Sequence, residues 1–231
     1  MIKFERTDVM NFENAIRGAR NPMNSWDRMD TGYVPETLHD VVGTLIIGPN
    51  DLKLTRQLVR AGSDHRKFLR QIFVSVDITA PLYWWKEYDT YKVGTVANSC
   101  STMHKIHAKE FTIHDFSNEN LMRDRDGWNI EEEYAEGESP LAVLEYVVAV
   151  LNFYRKKFIE TKDKRYWWQM IQLLPSSYNQ MRTCTLTYEN LIAMYHARKN
   201  HKLDEWHTFC DWIETLPYFK EICLDGEYDE Q

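Results

Sequence analysis

The chain has 231 residues, of which 43% are hydrophobic and 13% aromatic, so it can bury a full core, and we expect one domain over residues 1–231. Its formal net charge of -7 gives no general electrostatic attraction for a polyanion. Bulk nucleic acid is therefore not an expected partner.

Targeting and redox signals predict a soluble, cytoplasmic protein. No charged-then-apolar leader opens the chain, and its apolar runs are far shorter than the roughly 20 residues that span a bilayer, so no membrane partner is expected. The cysteines are scattered singly, without a Cys-x-x-Cys pair, at Cys100, Cys184, Cys210 and Cys223. This pattern predicts free thiols in a reducing compartment.

Two helices are predicted near the N-terminus. In "DVMNFENAIRGAR", Asn11 can cap a short helix that stops at Asn21-Pro22. In "GPNDLKLTRQLVRAG", Asn50 or Asp51 can cap a second helix, and Gly62 stands where a C-terminal glycine is preferred.

A half-buried strand follows in "QIFVSVDIT". Its two-residue period places Ile72, Val74, Val76 and Ile78 on one side. Pro81 cannot donate to a strand ladder and closes it. Residues 109–138 are polar and acidic without a sustained period, which predicts a long loop or a solvated insertion.

The C-terminal part is predicted to be mostly helical. Ser139-Pro140 is a good start for a long helix that runs to the basic turn at residues 155–157. Further helices are predicted in "YWWQMIQLL", which stops at Pro175, in "LTYENLIAMYHARK" and in "LDEWHTFCDWIETL". The last residues, "LDGEYDEQ", are expected to fray.

No recognised metal or phosphate motif is complete. The two histidine groups, at positions 104, 107 and 114 and at 196, 201 and 207, lack further ligands at a recognised spacing, so no metal is predicted. Dinucleotide and triphosphate glycine motifs are absent. Cys100 shows no base beside it in the sequence, which predicts a buried, inert thiol.

The segment "VSVDITAPLYWWKEYDTYKVGTVANSCSTMHK" resembles the flavin-dependent thymidylate synthases (ThyX-like proteins). In that family a strand ending in Ala-Pro precedes a signature of Arg-His-Arg, seven residues and Ser. The segments "DVMNFENAIRGAR" and "LLPSSYNQMRTCTLTYENLIAMYHAR" also resemble family regions, and order and spacing hold over most of the chain outside residues 109–138. The resemblance implies an α+β, thymidylate synthase-complementing-protein-like fold, with an antiparallel sheet core and long helices.

The signature itself is degenerate. Thr90, Tyr91 and Lys92 stand at Arg-His-Arg, Cys100 stands at the serine, and Thr102 follows where an arginine is usual. Each lost guanidinium removes charge-assisted phosphate contacts of about 1.5 to 3 kcal/mol.

By resemblance, the substrate-binding positions are Glu87, Lys92, Asn98, Cys100, Thr102 and Arg198. By the same resemblance, the FAD-binding positions are Arg70, Thr90, Tyr91, Lys92 and Thr187. Nearby aromatic residues fit two interpretations, stacking on a planar ligand or packing in a core or subunit interface: Tyr83, Trp84, Trp85, Tyr88 and Tyr91.

The resemblance implies a divergent enzyme or binding protein for a pyrimidine nucleotide such as dUMP. In the family reaction a one-carbon unit passes from methylenetetrahydrofolate to the pyrimidine C5, with electrons from reduced flavin and NADPH as reductant. The alternatives are a nucleotide-sequestering or sensing protein that has lost flavin, and an assembly protein that keeps only the fold. The family also implies a homo-oligomer, a tetramer.

Overall fold

A computed structural model describes residues 2–35, 43–124 and 139–224. The strands are β1 (Lys3–Met10), β2 (Gly32–Val34), β3 (Thr44–Ile46), β4 (Phe73–Pro81), β5 (Val96–Ser99) and β6 (Asn179–Thr187). The α-helices are α1 (Phe12–Ala19), α2 (Pro49–Arg60), α3 (Leu82–Tyr88), α4 (Thr102–Lys105), α5 (Pro140–Thr161), α6 (Lys164–Leu173), α7 (Tyr188–Arg198) and α8 (Asp204–Glu214). Short 3₁₀ turns lie at Asn21–Met23, Trp26–Arg28, Lys67–Gln71 and Ile113–Asp115, and a π-helical turn lies at Lys220–Leu224.

Four strands form the main sheet, in the order β1-β4-β6-β5. The strands β2 and β3 form a separate antiparallel pair in which Tyr33 lies opposite Leu45. Together with the helices, these sheets confirm the predicted α+β class with an antiparallel sheet core. No helix among the described residues combines the length and the apolar character that crossing a bilayer requires.

The chain forms two compact units. The first unit comprises residues 1–3, 78–90 and 98–182. Its largest apolar cluster is built on α5 and α6 and on the chain that precedes them, and its buried members are Ile106, Phe111, Phe116, Leu144, Leu151 and Met170. A second buried group in this unit lies on α3, where the indole of Trp85 packs edge-on against Trp84 and against Tyr88.

The second unit comprises residues 4–77, 91–97 and 183–231. The ring of Tyr188 at the start of α7 contacts Phe12 of α1 and Phe219, each at a centroid distance of 5.3 Å. On α8, Trp212 stacks on Phe4 at 4.7 Å. Burial of these large rings contributes favourable free energy to the folding of this unit.

Several sequence predictions are confirmed. The two N-terminal helices, the β4 strand, the long helix α5 after Ser139, and α6, α7 and α8 all form near the predicted positions. Ser139 accepts a hydrogen bond from the Ala142 N–H, as an N-cap residue should. The predicted alternating residues are all buried: Ile72, just before β4, and Val74, Val76 and Ile78 within it.

Other predictions were wrong in detail. The N-cap of α2 is Gly48, whereas Asp51 is buried and paired with Arg20. The C-terminal part also contains β6, and β1 and β5 were not predicted. In residues 109–124, the described portion of the predicted polar insertion, Phe111 and Phe116 are buried. The remainder of that segment lies outside the described residues, as do residues 225–231 of the predicted frayed end.

Candidate functional site

Cys100 follows β5 directly, and its main chain is held on both sides within the first unit. Its N–H donates to the carbonyl oxygen of Met181 at 2.9 Å. Its own carbonyl oxygen accepts from Nε2 of Gln180 at 2.7 Å. Because Gln180 is only 8% exposed, this side-chain bond is protected from competition with water.

Gln180 is held in turn by Arg182. The Arg182 Nε donates to Oε1 of Gln180 at 3.1 Å, and its Nη1 pairs with Asp89 at 2.7 Å. The guanidinium lies 4.1 Å from the ring centroid of Trp85, a cation–π contact. Since the Trp85 indole N–H donates to the Gln180 carbonyl oxygen at 2.9 Å, both ends of Gln180 are fixed.

A cavity of about 290 Å³ opens beside Cys100 in the first unit. Its lining combines amides, a phenol, an imidazole, a thiol and charged groups: Lys3, Thr79, Cys100, Lys109, His114, Asp115, Tyr178, Asn179, Gln180 and Met181. Two lysines and one histidine face a single carboxylate there. In a chain of net charge -7, this lining is a locally cationic surface that favours an anionic ligand.

The Lys109 and Asp115 side chains form an ion pair of 2.5 Å at this cavity. The hydrogen bond to Asp115 raises the pKa of Lys109. Burial acts to raise the pKa of the Asp115 carboxyl, but hydrogen bonds from Lys109 and Thr112 outweigh it, and the net pKa is lowered. Both groups are therefore charged across the neutral range.

Tyr178 brings a neutral phenol to the same cavity. Burial, followed by the negative charge of Asp115, raises the pKa of Tyr178. Its hydroxyl keeps its proton at physiological pH and is available as a hydrogen-bond donor.

The prediction that Cys100 is buried was wrong, because its side chain is exposed. The other three cysteines are buried, and burial raises the pKa of Cys210 to about 11. Burial also raises the pKa of Cys223. Cys100 is thus the accessible thiol among the four.

The remaining substrate positions of the first unit lie outside the described lining of this cavity. Glu87 is half-buried on α3, and its carbonyl oxygen accepts from the Thr90 hydroxyl at 2.7 Å. Asn98 is exposed on β5, and Thr102 is half-buried at the first position of α4. Their ligand roles remain predictions.

In the second unit, Arg198 and Tyr91 are brought together. The Arg198 Nε donates to the Tyr91 hydroxyl oxygen at 2.8 Å. The guanidinium also lies 4.5 Å from the ring centroid of Trp206, on α8. Trp206 was not predicted as a site residue, since its only signal in the sequence was the apolar spacing of its helix.

The other FAD-binding positions are engaged mainly in local structure. Thr187 caps α7 reciprocally with Asn190. Arg70 is exposed, with Nη2 at 3.4 Å from the Ser63 carbonyl oxygen, and Lys92 is exposed. The Thr90 hydroxyl donates to the Glu87 carbonyl oxygen. Of the five FAD-binding positions, this leaves the exposed side chains of Arg70 and Lys92 as ligands for phosphate. Two exposed cations are a poor fit to a flavin dinucleotide.

The open question about the α3 aromatics is decided for three of them. Trp84, Trp85 and Tyr88 are 0%, 1% and 2% exposed, so they pack in the core. Tyr83 is half-buried. The described residues also contain no group of three or more His, Cys, Asp or Glu side chains placed to hold a metal ion.

The fold is similar to that of solved thymidylate synthases. The ThyX of Helicobacter pylori, crystallised with FAD and dUMP, matches with a TM-score of 0.63 and 14% identity over 97% of each chain. The UMP/dUMP methylase PolB of Streptomyces cacaoi, bound with 5-Br dUMP, matches with a TM-score of 0.60 and 15% identity over 98% of this chain and 95% of that chain. No protein-family model and no curated protein sequence matches the chain. The similarity shows a ThyX-like fold.

Proposed function

We propose that this chain is a divergent ThyX-like protein that binds a pyrimidine nucleoside monophosphate, of the dUMP type, in the cavity beside Cys100. The observation that carries the proposal is the cationic lining of that cavity in an acidic protein, next to the residue at the signature serine position. The fold neighbours, which were crystallised with dUMP or 5-Br dUMP, support the same ligand class.

The lining offers contacts for the phosphate and for the base of such a ligand. Lys3 and His114 supply positive or hydrogen-bonding groups for a phosphate, and Lys109 adds a charge that Asp115 partly compensates. The Asn179 amide and the Tyr178 hydroxyl suit the alternating donors and acceptors of a uracil edge.

Arg198 is a separate element of the proposal, based on the family position that meets the pyrimidine. Tyr91 and Trp206 hold its guanidinium plane in a defined orientation. Arg198 lies in the second unit, whereas the cavity beside Cys100 lies in the first, so its contact with a pyrimidine is proposed on the family position alone.

Whether the protein binds flavin distinguishes its two candidate functions, the enzyme and the nucleotide-sequestering or sensing protein. One-carbon transfer from methylenetetrahydrofolate to C5 would need FAD as the electron donor, and only Arg70 and Lys92 remain as exposed cations at the family's FAD-binding positions. The engaged hydroxyls of Thr90 and Thr187 favour the other candidate, a nucleotide-sequestering or sensing protein without flavin.

Calorimetric titration of the full chain with dUMP and with deoxyuridine tests the nucleotide proposal. We expect dUMP to bind more tightly than deoxyuridine, since the cationic lining contacts the phosphate. Lys3→Gln should weaken dUMP binding by about tenfold, the loss of one charged hydrogen bond. Lys53→Gln, an exposed lysine of α2, is the matched control.

Equal affinity for dUMP and deoxyuridine, or no heat with either, would contradict the proposal. The visible spectrum after addition of FAD and desalting separates the two functions. Retained flavin absorbance supports the enzyme, whereas a colourless protein that binds dUMP supports the sequestering or sensing protein.

A further inference from the structure

We propose that α5 pairs with α5 of a second copy of this chain, antiparallel and about a two-fold axis, through the apolar side that it exposes. The inference goes beyond the proposed function, because it assigns an interaction surface to a helix that is not part of the described cavity lining. It does not depend on the nucleotide proposal.

The helix α5 is apolar on two sides. Between Pro140 and Tyr154 it has one charged residue, Glu145. One side packs into the core of the first unit through Leu144 and Leu151. A surface helix normally carries polar residues on its outer side, whereas a helix that is apolar on all sides is normally buried. We therefore expect a partner on the outer side of α5.

The α5 stripe is the row of apolar side chains on that outer side, and its members are exposed or half-buried: Val143, Tyr146, Ala149, Val150 and Phe153. Their spacing of three and four residues places them on one face of the helix. The rings of Tyr146 and Phe153 are 72% and 55% exposed. Contiguous apolar surface marks an interaction site, and exposed aromatic rings are the usual anchors of a protein interface.

The charges beside the α5 stripe fit a second copy of this chain. Glu145 and Lys156 are exposed, and neither forms an ion pair with another of the described residues. They are eleven positions apart, about three helical turns, so they lie on the same flank of α5. They also lie equally far on either side of the point between Val150 and Leu151.

A two-fold axis perpendicular to α5 at that point brings Glu145 of each copy opposite Lys156 of the partner subunit, so that the ion pair forms twice. The small side chains of Ala149 and Val150 lie at the axis and allow the two helices to approach closely. A parallel pair would place like charges opposite each other, which is unfavourable. The α5 stripe is therefore self-complementary in the antiparallel arrangement.

Sedimentation velocity of the full-length protein and its charge variants tests the arrangement. We expect the native protein to form a dimer or a larger even-numbered assembly. Glu145→Lys and Lys156→Glu should each raise the dissociation constant by about tenfold, because each places like charges opposite each other at two positions. The double variant that combines both changes should restore the native dissociation constant.

Lys53→Glu, which reverses the charge of an exposed lysine on α2, is the matched control and should assemble like the native protein. A charge swap that fails to restore assembly overturns the antiparallel pairing. A native protein that sediments as a monomer at every concentration overturns the proposal as a whole.

The apolar contribution is tested by a variant that combines Tyr146→Ser with Phe153→Ser. It should raise the dissociation constant by about 100-fold, because it removes both exposed rings from the interface. Its far-UV circular dichroism should stay native, because both side chains are exposed in the single chain. An assembly that this variant leaves intact forms through another surface and overturns the proposal.

Discussion

The side-chain amide of Gln180 donates to the carbonyl oxygen of Cys100 at 2.7 Å, across 80 positions of sequence. Arg182 holds the other end of the same amide. Cys100, at the signature serine position, is thus held by β6, a strand that was not predicted from the sequence. The main chain at Cys100 is therefore held by β6, through Gln180 and Met181.

Gln180→Met should therefore destabilise the protein and loosen Cys100. The change keeps the volume but removes the bonds of Gln180 to the Cys100 carbonyl oxygen and to the Arg182 Nε, at a cost of about 1 to 3 kcal/mol. Urea unfolding measures the loss of stability, and the alkylation rate of Cys100 should change with it.

Gln57→Met on the exposed face of α2 is the control for this substitution, and it should shift the unfolding free energy by less than about 0.5 kcal/mol. Equal stability of the Gln180 and Gln57 variants would show that the bond does not anchor the site.

Arg20 and Asp51 form a buried pair at 2.6 Å, with side chains 2% and 0% exposed. Arg20→Met should lower the free energy of unfolding by about 3 to 5 kcal/mol, because it leaves the Asp51 carboxylate buried without its cation. Chemical denaturation provides the measurement.

The exposed pair of Lys157 and Glu160, at 3.7 Å, provides the comparison. Lys157→Met should have a much smaller effect, because water screens both charges. The double variant Arg20→Met with Asp51→Leu should recover part of the stability. If Arg20→Met is as stable as the native protein, the buried pair does not stabilise the fold.

The pair of Lys109 and Asp115 predicts a defined pH window. The folded-state pKa of Asp115 is lowered from 3.8, so its stabilisation is present above that value and is lost as the pH falls through the lower folded value. The pKa of Lys109 is raised from 10.5, so its stabilisation is present below that value and is lost as the pH rises through the higher folded value.

Asp115→Asn should therefore reduce stability most between these two limits, and the difference from the native protein should shrink outside them. Unfolding curves of Asp115→Asn and of the native protein over a pH series measure this difference in stability.

The Asp115→Asn variant should also tighten dUMP binding by a few fold at neutral pH, since it removes the carboxylate from the cationic cavity. Weaker dUMP binding would contradict the electrostatic account of the cavity.

Gly94 adopts φ of +77°, and an added Cβ would lie 3.1 Å from Oδ1 of Asn190. Asn190 also donates to the Val93 carbonyl oxygen at 2.8 Å and caps α7. Gly94→Ala should lower stability by about 1 to 2 kcal/mol through the left-handed backbone alone. Thermal unfolding checks this value.

Gly32 is the matched control, because its added Cβ meets no atom within 4 Å and its φ is not in the left-handed region. Gly32→Ala should therefore leave the melting temperature nearly unchanged. If the two alanine variants melt together, the turn at Gly94 is not strained by a side chain.

The elements that could be predicted were those with a strong local signal. The alternation of Ile72, Val74 and Val76 predicted β4, and the Ser139-Pro140 pair predicted the start of α5. The strand β6 was missed because its threonines and arginine obscure the apolar alternation. Asp51 was interpreted as a cap because an acidic residue near a helix start is the usual local explanation, whereas its partner Arg20 lies 31 residues away.

The sequence by itself determined the acidic charge and the principal helices, because these depend on composition and on short-range periodicity, which are present in the chain before it folds. The α+β class and the degenerate signature with its cysteine were implied by the resemblance to the flavin-dependent thymidylate synthases. Only the tertiary structure decided that Cys100 is exposed, that Trp84 and Trp85 are core, and that Lys109, His114 and Tyr178 line one cavity. Such groupings depend on contacts between distant segments, and no local pattern specifies which distant segment will supply the partner.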